Sequence, residues 1–226
     1  MRNLFVSTFA LLHVIYASSQ IKGDTISTIN VVGQTWMKYD LKVSAFQNGD
    51  SIYIAKSNED WIKATADEKP ALCIENGQFF YNHYAVSDKR GLAPKGYRIP
   101  TKKDIEALTN KLGGLDTAGY FLQYQEPYGI YPAGFGDSKV GFNVNGDGHR
   151  GGNGWYWSMQ NPKGDYWLRD EIIKDPAEFE NVVVESEIED KQHIQAFYFS
   201  VYWYQAEMFL WNEQKGCGMS IRCIKE

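Results

Sequence analysis

Apolar and polar positions alternate with helical spacing most clearly between Lys89 and Gly114. Ile105, Leu108 and Leu112 fall on one face of a helix, while Lys102, Lys103, Glu106 and Asn110 point elsewhere. Pro94 and Pro100 fix φ, and the residues before them, Ala93 and Ile99, are pushed towards extended backbone. Thr101 then stands as N-cap, with Asp104 near the free amides of the first turn. Gly113 supplies a left-handed stop and Gly114 loosens the exit. The pattern predicts one main amphipathic helix of about three turns, packed on surrounding strands.

Strand periodicity governs much of the remainder. Ile26 to Leu41 predicts two strands about a Val32-Gly33-Gln34 turn, with Trp36 as a core anchor. A turn at Asn48-Gly49-Asp50 follows, and Ser57 or Asn58 caps a short helix through Ala66 that ends near Pro70. Ala71–Ile74 and Gln78–Tyr81 read as partner strands about Asn76-Gly77, and Asn82–Val86 begins a helical turn. The stretch from Asn143 to Gly154 reads as a long solvent-exposed polar loop. Short aromatic strands come next: GWYWSM, KGDYWL, IQAFYFSV and EMFLWN. Met219 to Ile224 forms a last strand, and Asp175–Lys191, acidic and poor in turn signals, looks like an insertion. Asp116 to Gly129 carries no assignment.

Composition narrows the picture. The 226 residues include 7 Trp, 15 Tyr and 12 Phe with 21 Gly, which favours a loop-rich, partly β protein over a helical bundle. Residues 1–19 have the form of a secretory leader: Arg2, an apolar run from Leu4 to Tyr16, then Ala17-Ser18-Ser19. Cleavage is expected before Gln20, leaving one domain over 20–226, exported and without a membrane span. The formal charge of −5 becomes −6 without Arg2. That balance points away from nucleic acid. In an oxidising compartment the three cysteines suggest one disulfide and one remaining thiol. Cys73–Cys223 closes the longest loop and is preferred, Cys217–Cys223 is the alternative, and three reduced buried thiols remain a third possibility.

Several segments carry a family resemblance. GLAPKGYRIPTKKDIEALTNKLGG, together with VVGQTWMKYDL, YNHYAVSDKRGLAP and the terminal GMSIRCIKE, resembles the Fibrobacter succinogenes major paralogous domain of exported bacterial proteins. The resemblance covers most of residues 29–226. It implies a fold similar to the formylglycine-generating enzymes and, more distantly, to C-type lectins: short twisted antiparallel strands, one main helix and long loops. It also implies a non-catalytic α+β binding or assembly module that engages an envelope or surface protein; the alternatives are a carbohydrate-binding module using surface aromatics, with or without calcium, and a hydrolase or oxidase on the same fold.

Candidate chemistry is sparse. Asn143, Asn145 and Asp147 before Gly148 place oxygen ligands at alternate positions, as in the first half of a calcium loop, although only Asp147 is charged. No other cofactor is suggested. Trp211-Asn212-Glu213 resembles the sugar-site motif of C-type lectins and Glu126-Pro127 their second ligand pair, but Tyr128 breaks the match. Cys217 and Cys223 are spaced only loosely like the catalytic pair of the related oxidases, so no catalytic residue is assigned. His83, His149 and His193 are widely separated, and nothing singles out members of a Ser/His/Asp triad. The aromatics offer more. Trp155, Trp157, Trp167, Trp203 and Trp211 are candidates for stacking on sugar rings or anchoring a protein partner.

Overall fold

A computed structural model describes residues 26–123, 140–144, 146–156, 163–174 and 194–226. The predicted leader, Glu126-Pro127, Asn145, Trp157, the Asp175–Lys191 insertion and His193 lie outside these residues. The described chain is α+β, with three small, mainly antiparallel sheets.

The opening hairpin joins β1 (Thr28–Val31) to β2 (Gln34–Met37) through Val32 and Gly33, both at positive φ. β3 (Tyr53–Ile54) runs parallel to β4 (Ala71–Glu75), and α1 (Asn58–Ala66) connects them, capped by the Ser57 hydroxyl. β4 pairs with β5 (Gln78–Asn82) across the expected Asn76-Gly77 turn. Asn82 then caps the short α2 (His83–Val86). β6 (Tyr97–Arg98) leads into α3 (Lys102–Lys111), the predicted main helix, which buries Ile105 and Leu108 as expected.

Its entry is a reciprocal capping box. The Thr101 amide donates to Asp104 Oδ2 at 2.7 Å, and the Asp104 amide donates to the Thr101 hydroxyl. Arg98 donates both terminal nitrogens to the same carboxylate at 2.6 and 2.8 Å. Burial alone would raise the Asp104 carboxyl, but the Arg98 fork and the Thr101 donors outweigh it and hold the group down at about 2. The stability this gives is present above the ordinary value of 3.8 and is lost as pH falls through about 2. Asp104→Asn should therefore lower the urea midpoint at neutral pH and flatten its fall on acidification; an acid limb unchanged from wild type would refute this.

A fourth helix, α4 (Leu115–Leu122), covers the start of the Asp116–Gly129 stretch, to which the sequence assigns nothing. It has no side-chain N-cap and follows α3 after only Leu112 and two glycines, so its start carries no local signal. Ala118 and Leu122 join Ile105, Leu108, Leu112, Trp36 and Phe142 in one core cluster.

The third sheet comprises β7 (Lys163–Ile173), β8 (Ile194–Tyr202) and β9 (Met208–Gln214) in sequential antiparallel order. The predicted last strand is divided. β10 (Gly218–Met219) pairs with β5 and β11 (Ile224–Lys225) pairs with β2 and β6, so the chain crosses between sheets over Ser220–Cys223. That crossing buries Arg222, whose guanidinium is held by Asp40 and by the Phe142 carbonyl.

The expected disulfides are absent: Cys73, Cys217 and Cys223 are all unpaired and buried. Cys73 packs with Trp61 and Phe80 in one cluster, whereas Cys217 and Cys223 belong to another. Burial pushes all three thiols up, Cys73 to about 12, which suppresses the reactive thiolate. Among the described residues no helix is long and apolar enough to cross a membrane.

Candidate functional site

The β7–β8–β9 sheet has two chemically distinct faces because successive side chains alternate. One face turns Tyr166, Leu168, Phe199, Val201 and Met208 into the core beneath α3 and α4. The other is set by three cross-strand rows: Lys163 beside Tyr202, Asp165 beside Ser200 and Phe209, and Trp167 beside Tyr198 and Trp211. Its inner end is covered, and its outer end is open.

Trp167 lies at the covered end. It is fully buried, its indole donates to the Tyr81 carbonyl at 2.8 Å, and it meets His83 and Tyr198 edge-on. This corrects the expectation that Trp167 offers a ligand surface: it packs with Tyr81, Tyr198 and Met219 in a buried cluster.

The open end is an aromatic row. Trp211 is 51% exposed and stacks on Phe209, with ring centroids 5.8 Å apart and planes at 9°. Phe209 meets Tyr202 edge-on at 5.5 Å, Tyr202 meets Tyr204 at 5.6 Å, and Tyr204 meets Trp203 at 5.5 Å. Tyr204 is exposed, and Trp203 is half-buried with its indole N–H unpartnered among the described residues. Trp203 and Trp211 thus come together, joined by three rings that sequence reasoning had not selected.

Beside this row lies a polar cluster. Asp165 is fully buried, and its carboxylate receives His149 Nδ1 at 2.6 Å and Lys163 Nζ at 2.9 Å on one oxygen and the Ser200 hydroxyl on the other. Burial alone would raise the Asp165 carboxyl; the His149 hydrogen bond and the Lys163 charge reverse this and keep it low. Lys163 is held protonated by Asp165 against its own burial, and its ammonium lies 5.6 Å over the Tyr202 ring.

The segment carrying His149 is not the exposed loop expected from its Gly/Asn composition. The Gly148 amide donates to the Lys163 carbonyl at 2.7 Å, and Arg150 exchanges two backbone hydrogen bonds with Gly218. Arg150 itself is buried, paired with Glu75 at 2.7 Å and with Asn58. Backbone pairing, not apolar content, draws this segment inside, a source of burial that hydrophobic periodicity does not register.

Of the proposed calcium ligands, Asn143 adopts a left-handed φ of 50°. The Asp147 carboxyl is desolvated and faces the charge of Asp40, which together push it up to about 7. Among the described residues its Oδ2 is buried without a partner, and no group of three His, Cys, Asp or Glu could hold a metal ion. In the lectin-like motif, Glu213 accepts from the adjacent Gln214 amide, and Asn212 points to the opposite face from Trp211. Trp155 is 71% exposed, whereas its neighbour Tyr156 turns inward to meet Phe80 edge-on at 5.4 Å.

Asp165, Ser200 and His149 were missed because they lie far apart in the chain. One signal was available: a carboxylate within the otherwise apolar run of KGDYWL has to find partners once the strand is buried.

Comparison with known proteins adds one finding. No curated protein matches the chain, and no solved structure matches it. The Fibrobacter succinogenes major domain matches residues 29–225, which include every described strand but the first residue of β1 and all four helices. The chain belongs to the Fibrobacter succinogenes major domain family.

Proposed function

We propose that this chain is an exported carbohydrate-binding domain whose β8–β9 aromatic row stacks on sugar rings. The observation that carries the reading is the parallel Phe209–Trp211 pair, with Trp211 half exposed, next to hydrogen-bonding groups at Lys163 and His149. A sugar ring presents an apolar C–H face and a polar rim, and this arrangement offers a surface for each. The aromatic planes are held by packing on one another, so little rotamer freedom is lost on binding. The leader read from residues 1–19 supports action outside the cytoplasm, and the family resemblance supports a C-type-lectin-like arrangement of the strands.

The test is a glycan array probed with the purified mature protein, with calcium and with chelator, followed by calorimetry on the best ligand. Trp211→Ala should weaken binding by about 10- to 100-fold. Trp155→Ala, on a separate segment, should leave it unchanged. Absence of glycan binding in both conditions would overturn the carbohydrate reading and return the exposed rings to an envelope-protein partner. Loss of binding in chelator alone would move the site towards Asn143 and Asp147.

A further inference from the structure

We propose that the glycan held by the aromatic row carries free amino groups, so that the row selects a chain of deacetylated amino sugars over its neutral counterpart. The inference rests on the carbohydrate reading and adds the charge of the ligand to it.

Position along β9 comes first. Successive side chains of a strand point to opposite faces, so Phe209, Trp211 and Glu213 share one face. Phe209 lies parallel to Trp211 on one side, and Glu213 follows on the other, two residues further along the strand. Glu213 is partly exposed, and its Oε1 accepts from the Gln214 amide, which holds the carboxylate close to the backbone. Its charge is felt on this face. Burial, then the charges of Asp165 and Glu213, push up the hydroxyl of Tyr198, the cross-strand partner of Trp211. At the other end of the strand the exposed Glu207 stands immediately before Met208.

The charge left over around the row is acidic. Its two neighbouring ammonium groups are each paired already, Lys163 with Asp165 at 2.9 Å and Lys215 with Glu171 at 2.7 Å. Among the described residues neither Glu207 nor Glu213 has a basic partner. The indole points the same way: its electron-rich face attracts cations better than any other aromatic side chain, and Trp211 is half exposed. A protonated amino sugar offers its C–H face to the ring and its ammonium to the ring and to Glu213. Acetylation of the nitrogen keeps the sugar and removes the charge. A uronic acid would instead set its carboxylate against those of Glu213 and Glu207.

The test is calorimetry of the purified mature protein with two hexasaccharides of one backbone, glucosamine and N-acetylglucosamine, in mildly acidic buffer where the free amines are protonated. The glucosamine chain should bind about 3- to 30-fold more tightly at low salt, and the preference should shrink at high salt. Glu213→Gln should reduce the preference by about 2- to 5-fold and leave the affinity for the acetylated chain unchanged. Trp211→Ala should weaken both. Glu106→Gln, on α3 against the opposite face of the sheet, should change neither. Equal or tighter binding of the acetylated chain would overturn the charge assignment and leave the carbohydrate reading standing. A hexalysine peptide bound as tightly as the glucosamine chain would reduce the effect to attraction for any polycation and overturn the proposal. Binding of neither chain would also overturn it, and would take the carbohydrate reading with it only if the glycan array is silent as well.

Discussion

Asp40→Ala should destabilise the protein by about 3–5 kcal/mol, because it leaves the Arg222 guanidinium buried without its counter-charge. Arg222 is 1% exposed, and Asp40 Oδ1 accepts from its Nε at 2.8 Å and from a terminal nitrogen as well. The Tyr166 hydroxyl donates to the other Asp40 oxygen at 3.2 Å, so removal of the carboxylate strands two donors together. The remaining contacts of Arg222, with the Phe142 carbonyl and over the Phe142 and Tyr166 rings, supply no negative charge. In a domain of this size the melting temperature should fall by roughly 10 °C or more. The double variant Asp40→Leu with Arg222→Met should recover much of the loss, since an apolar pair removes the desolvation cost along with the attraction. A single-variant loss below about 1 kcal/mol, measured by urea unfolding, would show that water reaches this site. The pair joins the segment after β2 to the crossing between β10 and β11, so it ties the first and last parts of the domain.

Gly119→Ala should also destabilise, by about 1–3 kcal/mol, and should weaken ligand binding with it. At an ordinary helix position this substitution stabilises, because alanine has the better helix propensity. Here a Cβ on Gly119 would lie 2.3 Å from the Glu207 carbonyl oxygen and 2.7 Å from that of Ala206. Both obstacles are backbone, so no side-chain rotation relieves the contact. The same approach lets the Tyr120 amide donate to the Ala206 carbonyl at 3.0 Å, which pins α4 to the turn before β9. Relief of the clash has to move that turn, and Phe209 and Trp211 with it. Thermal melting and calorimetry on the same preparation check both effects. A stabilised variant would show that propensity outweighs the contact.

These two positions mark the boundary between what the chain announces locally and what it does not. The α3 helix was legible because each signal lay within a few residues: Thr101 and Asp104 at the cap, Ile105 and Leu108 on one face, Gly113 at the stop. The β1–β2 and β4–β5 hairpins were legible for the same reason, their turns being set by Gly33 and by Asn76-Gly77. Gly119 gave no such signal. A glycine within a helical stretch reads as a weak point until the turn from the other end of the chain is seen against it.

The family, the α+β class, the main helix with its cap and the abundance of tryptophan can all be read along the chain. Each of these rests on periodicity, turn chemistry or a contiguous motif. Which tryptophans face outward, the separation of the three thiols, and the meeting of His149, Lys163, Asp165 and Ser200 in one cluster emerge only once the chain is folded. The physical reason is strand pairing. Side chains in β7, β8 and β9 alternate between the core and the opposite face, and a shift of register by one residue would exchange the two sets. That register depends on contacts between residues dozens of positions apart, such as Asp165 with Ser200 and Tyr198 with Trp211, which no local pattern encodes.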